Sequence, residues 1–137
     1  VTDADRFETL RRRFLSLGLG EIAAAAIFVV VPFCLPFIAS EDAEAAMWFA
    51  MSPLIFVLIQ AGIYWLIARR HLPGPFPCRA ATIYRALRIL DPFILFGCAI
   101  GVVGSWPGLS LSAFVAVVVW LFAVAEYMGM IPEWWTR

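Results

Sequence analysis

Four stretches of this chain, residues 14–39, 45–68, 80–106 and 109–131, are apolar almost from end to end. A helix needs roughly 20 such residues to cross about 30 Å of hydrocarbon. Lipid offers nothing to hydrogen-bond a bare peptide group, so segments of this kind satisfy their backbone internally, as helices. The pattern predicts an all-α fold: a four-helix up-down-up-down transmembrane bundle forming one integral membrane domain over residues 1–137. Composition agrees, with 64% hydrophobic residues and 15% charged, against about half and about a quarter in soluble domains. A water-soluble globule, a disordered tail and a nucleic-acid binder are excluded on that ground. Ten arginines against ten acidic residues leave no net field to recruit a polyanion.

The spans differ in kind. The first contains Glu21 and, in VVVPFCLPFIAS, Pro32 and Pro36; its alanines at 23–26 suggest a central helix. A cleaved signal peptide is the rival reading, but the apolar stretch is too long for a usual h-region and PFIASED is a poor small-x-small site. The second span carries no formal charge. The third is uninterruptedly apolar only from Pro92 to Trp106. A helix starting at Pro92 and ending at Gly104 would cover roughly 20 Å at 1.5 Å per residue, short of the membrane. Starting it near Arg79 places Ala80, Ile83, Leu87 and Leu90 on one face, opposite Arg85 and Arg88. That makes an interfacial amphipathic turn with Pro92 as a tolerated kink and Arg88 snorkelling to the headgroups. The fourth span is broken only by Glu126.

Arginine placement sets the orientation. Arg6, Arg11, Arg12 and Arg13 precede the first span; Arg69, Arg70, Arg79, Arg85 and Arg88 fall between the apolar parts of the second and third; Arg137 ends the chain. With four spans all ten share one side. Glu41, Asp42, Glu44 and the turn GSWPGLS lie on the other. The positive-inside rule then puts both termini in the cytoplasm of a cell (inner) membrane protein. The connections are short, so the spans should pack as antiparallel neighbours.

Ionisable groups inside spans are costly and are functional candidates by default. Glu21 lies roughly 8–10 Å in from the inner end of its span at 1.5 Å per residue. Glu126, Asp91 and Gln60, the sole Gln, lie at similar depth, with Tyr64 and Tyr127 nearby. Two readings of this polar layer stand. In one it lines a cytoplasm-facing cavity where carboxylates bind a cation or relay protons. In the other, preferred because the carboxylates are near the interface, arginines clamp them: Asp91 or Glu126 with Arg69, Arg70, Arg85 or Arg88, and Glu21 with Arg11 to Arg13. Glu21, deepest and flanked by small residues in LSLGLGEIAAAA, is similar in position to the essential glutamate of the small multidrug-resistance transporters, also four-span chains. The third-span aromatic pattern of that family is missing and the charge bias is one-sided. The resemblance therefore covers one residue and implies no activity.

Small residues suggest helix packing: Gly97, Gly101 and Ser105 on the third span, and Ser16, Gly20 and Ala24 on the first, each at i, i+4, i+8. Trp48 and Trp106 near the outer face, with Trp65, Trp134 and Trp135 near the inner one, read as an aromatic belt, and Trp120 as a packing residue. Three scattered cysteines and a lone His71 give no disulfide framework and no metal site. No GxSxG, P-loop, HExxH or paired-Asp motif is present. The sequence thus points to a non-enzymatic accessory, structural or interaction subunit without cofactor. Its partners would be the lipid bilayer and a second copy or another membrane protein. A small proton- or cation-coupled transporter using the intramembrane carboxylates is the alternative.

Overall fold

The computed structural model describes residues 3–34, 44–106 and 108–135, and the side chains of 4–34, 44–106 and 108–129. It consists of four helices: α1 (Asp3–Cys34), α2 (Glu44–His71), α3 (Cys78–Gly104) and α4 (Leu111–Trp135). All four are long and apolar enough to cross a membrane. Pro36 and the loop acids Glu41 and Asp42 lie outside the described residues.

α1 begins well before its apolar part. Its first turns are exposed and polar, and Arg12 Nε meets Glu8 Oε1 at 3.1 Å, an i, i+4 pair that supports an isolated helix by only a few tenths of a kcal/mol, about 0.5 at most. α2 carries Glu44 in its first turn and Arg69, Arg70 and His71 in its last, the arrangement that complements the helix dipole. α3 runs unbroken through Pro92. A proline has no N–H and leaves the carbonyl four residues back without its usual donor. That carbonyl belongs to Arg88, and Tyr127 Oη on α4 donates to it at 3.0 Å. α4 starts after Gly108, at a φ of +83° that favours glycine. Ser110 Oγ then accepts from Ala113 N at 3.2 Å as an N-cap.

α2 is the centre of the assembly, packing against α1, α3 and α4. In its most apolar stretch 56% of residues are buried, against 17% in α1, 17% in α3 and 22% in α4. This corrects the expectation that alanine-rich α1 is central. Of Ala23–Ala26 only Ala25 is buried. α2 instead combines an uncharged middle with small buried residues on two sides, Ala46, Ala50, Ala61 and Ala68 along one stripe and Gly62 about 100° or more round from them at 3.6 residues per turn, so its neighbours can approach closely. Ala25, Leu54, Leu58, Leu95 and Ala123, drawn from all four helices, make one core cluster; Ala50, Val102 and Ala116 make a second.

The α1–α2 pairing is read from rings at both ends, Phe14 with Trp65 at 5.1 Å and Phe33 with Trp48 at 5.9 Å. Between them the helices cross at two glycines. A Cβ on Gly18 would sit 3.0 Å from the Gly62 carbonyl oxygen, and one on Gly62 would sit 3.0 Å from that of Gly18 and 2.7 Å from Ile22 Cγ1. The expected small-residue stripes do not make this crossing. Gly20 and Gly97 face open space, and Gly101 alone of the third-span stripe lies against an aromatic ring, that of Phe49. Ser105 is half-buried at the end of α3, its N–H bonded to the Gly101 carbonyl. Close approach needs a gap on both partners at one height, which a repeat within a single helix does not ensure.

Candidate polar site between the helices

Gln60 and Asp91 meet at the interface of α2 and α3. Gln60 is 5% exposed and Asp91 1%, and Gln60 Nε2 donates to Asp91 Oδ1 at 2.9 Å. Local structure places both. Asp91 precedes Pro92, and Tyr127, which caps the carbonyl freed by that proline, lies within electrostatic range of Asp91. Tyr84 Oη donates to the Gln60 carbonyl at 3.1 Å, tying α3 to α2 a second time. Tyr84 also packs edge-on against Tyr64 at 5.2 Å, and Phe76 from the connecting segment lies 5.2 Å from Tyr64. An aromatic plug thus closes the arginine-rich end of this seam. Further along, Ser52 Oγ and Cys98 Sγ are 3.7 Å apart.

Glu21 and Glu126 form the other half of the expected layer. Both are half-buried, and they lie within electrostatic range of each other, across α1 and α4. The four polar residues therefore separate into two pairs, a hydrogen-bonded one at α2–α3 and a like-charged one at α1–α4.

The hydrogen bond that the described structure gives the Asp91 side chain comes from Gln60, an amide, where the sequence had suggested an arginine. Arg70 and Arg85 are exposed; Arg69 and Arg88 are half-buried, and the buried Arg69 Nε has no hydrogen-bond partner among the described residues. The cause is direction and cost. Asp91 faces the helix interior, where a guanidinium would have to leave water, whereas Gln60 supplies an N–H donor without a charge to desolvate. Trp120, expected to pack, does so against the second core cluster and also donates from Nε1 to the Leu95 carbonyl at 3.0 Å. Trp65 and Trp48 pack on α1 rings as well as standing near the ends, while the side chains of Trp134 and Trp135 lie outside the described residues.

Next to the pair, α2 and α3 enclose a groove of about 300 Å³ lined by Phe56, Ile59, Ile63, Ile67, Ile83 and Leu87, with Gln60 and Tyr84 as its polar members. Its walls suit a hydrocarbon chain or an apolar side chain rather than a polar solute. Comparison with known proteins adds no family to this geometry: no family model matches the chain, and neither the curated proteins nor the solved structures show a significant similarity to it.

Proposed function

We propose that this is a small four-span integral membrane protein, with its helices up-down-up-down and both termini in the cytoplasm, that acts without catalysis, as a structural or accessory subunit docked to a second copy or another membrane protein. The observation that carries this reading is the outward face of α3. Phe93, Phe96, Ile100 and Val103 recur at i, i+3, i+7 and i+10 and are 70%, 67%, 59% and 71% exposed. That spacing makes one continuous apolar stripe, a surface for lipid or another helix. The end-to-end ring contacts of α1 with α2 support the antiparallel order. The arginine distribution supports the inward termini, following the positive-inside rule.

Gentle extraction with affinity purification, followed by mass measurement of the particle, tests the role. A stoichiometric membrane partner or a defined homo-oligomer is expected. A monomer that releases protons on addition of a cationic substrate, with the release lost in Glu21→Gln, would replace this reading with the coupled-transport one. The half-buried Glu21 and Glu126 across α1 and α4 are the observation that keeps that second reading in view. Topology is tested with single-cysteine variants and an impermeant maleimide on intact cells: Asp42→Cys should react at once and the native Cys78 only after permeabilisation.

A further inference from the structure

The groove between α2 and α3 has an open apolar rim and a charged end. Its polar members, Gln60 and Tyr84, give hydrogen bonds elsewhere, to Asp91 Oδ1 and to the Gln60 carbonyl. Its rim is exposed: Phe56, Ile59 and Ile63 on α2, and Ile83 on α3. On α2 the lining runs from Phe56 to Ile67, roughly 16 Å at 1.5 Å per residue. Half of a hydrocarbon core about 30 Å thick is close to that length, so the groove has the depth of one leaflet. Beyond Ile67 and before Ala80 the same two faces carry arginine. Arg70 follows Ile67 by three residues and Ile63 by seven, and Arg79 precedes Ile83 by four, spacings that keep side chains on one face of a helix. Both arginines are exposed. Ala80, the groove's last residue toward this end of α3, stands in the helix's first turn. Pro77 is the N-cap there and gives no side-chain hydrogen bond, and the dipole at such an end favours an anion.

We propose that this groove is a binding site for one anionic phospholipid: an acyl chain lies along it from Ile67 toward Phe56, and the phosphate sits at Arg70 and Arg79. Charge decides the occupant. An apolar side chain from a partner helix would fill the walls but give the two guanidiniums nothing, and a zwitterionic lipid would bring its own cation to them. An anionic lipid uses both parts at once: its chain enters by the exposed rim without leaving hydrocarbon, and its phosphate accepts the paired N–H donors of arginine. Basic sites between membrane helices take acidic headgroups on the same physical ground. The groove is separate from the apolar stripe of Phe93, Phe96, Ile100 and Val103, which occupies the later half of α3. The site rests on the chain spanning a membrane with its arginine-rich end at the headgroups, and it holds whether the protein is an accessory subunit or a transporter.

Native mass spectrometry of the full chain in detergent, offered equal amounts of phosphatidylglycerol and phosphatidylcholine with the same acyl chains, reads the preference. One retained phosphatidylglycerol per chain is expected. An arginine near an anionic headgroup contributes about a factor of five, so Arg70→Gln with Arg79→Gln should lower phosphatidylglycerol retention about 25-fold and leave phosphatidylcholine unchanged. Ile63→Trp, which fills the groove from its rim, should remove the bound lipid with both arginines intact. All three positions are exposed, so thermal stability in lipid-free detergent should stay that of the parent. A phosphatidylglycerol carrying a diazirine at mid-chain locates the site on the unmutated protein and should label residues 56–67 and 80–87. Equal retention of the two lipids, undiminished retention in the arginine variant, or labelling confined to other segments would overturn the proposal. So would a lipid-free dimer cross-linked through Ile63→Cys, which would make the occupant a second copy. Any of these results leaves the membrane-subunit reading standing, since particle mass and maleimide topology test that separately.

Discussion

α2 is joined to its neighbours in two different ways. Toward α1 it offers a missing side chain: Gly62 and Gly18 let the backbones meet with carbonyl oxygens at Cβ-contact distance. Toward α3 it offers polar groups: Gln60 to Asp91, and its carbonyl to Tyr84. Residues 60 and 62 are only two apart, but at 3.6 residues per turn they point to nearly opposite sides. In lipid, where burying apolar surface gives no net gain, close packing and interhelical hydrogen bonds are the available means of association. This helix uses one on each side. The close-packed seam should tolerate any change of polarity and no change of volume, and the hydrogen-bonded seam the reverse.

The largest effect should come from volume at the first seam. Gly62→Leu forces a side chain against the backbone oxygen of Gly18, which cannot rotate away, as well as against Ile22. Overpacking of this kind costs about 3 kcal/mol. Size-exclusion after a heating series should show the variant lost at clearly lower temperature than the parent. Unchanged stability would mean the two helices do not cross at these glycines.

Gln60→Leu should come next. It is close in volume but removes the side chain that donates to Asp91, at a cost of about 1–2 kcal/mol by the range seen for polar helix contacts. Gln60→Glu should be worse than Leu at high pH, when two carboxylates would face each other. Because the two seams lie on opposite sides of α2, the Gly62 and Gln60 changes should add within about 0.5 kcal/mol. A large coupling between them would show that α2 shifts as a body and that the seams are not independent.

These seams were unequally legible. Apolar run length is a property of one segment, so four helices could be read directly, and even the passage of α3 through Pro92 followed from the shortness of the alternative. Centrality is a property of neighbours. The alanine run at 23–26 was visible, whereas the small residues of α2, Ala46, Ala50, Ala61 and Ala68, share their stripe with larger ones such as Leu54 and Val57 and form no consecutive run. Gly62 did carry a signal, as the one glycine between residues 44 and 71, yet its partner Gly18 lies off the stripe formed by Ser16, Gly20 and Ala24. Similar depth along their spans put Gln60 and Asp91 at one level, where the two meet; that they would bond to each other was not legible, because abundance favours arginine as a carboxylate partner, whereas burial favours the neutral amide.

Tyr127→Phe carries the comparison to the α3–α4 contact. The change deletes one hydroxyl and bares the Arg88 carbonyl that Pro92 has already deprived of its helical donor. The expected loss is about 1 kcal/mol, the net value of one such hydrogen bond. Pro92→Ala should make the same change harmless, since an alanine N–H would then satisfy that carbonyl within α3. If Tyr127→Phe costs as much in the Pro92→Ala background, the hydroxyl is not acting as the cap of the proline-freed carbonyl.

The smallest effect should be at the pair that resembles neither seam. Glu21 and Glu126 are half-buried and lie within range of each other. Removing one of two like charges takes away a repulsion and no hydrogen bond, so Glu21→Gln should change stability by no more than about 0.5 kcal/mol, and in the stabilising direction. Glu126→Gln should do the same, and the double change should add nothing further once the repulsion is gone. Thermal unfolding at neutral pH in low and high salt checks this, because a repulsion between partly exposed charges shrinks with screening. A marked destabilisation by Glu21→Gln would mean that the carboxylate is held by something this arrangement does not contain. A bound cation or a partner subunit's arginine would then have to be sought at the α1–α4 face, and the contrast with the hydrogen-bonded Asp91 would no longer be one of packing alone.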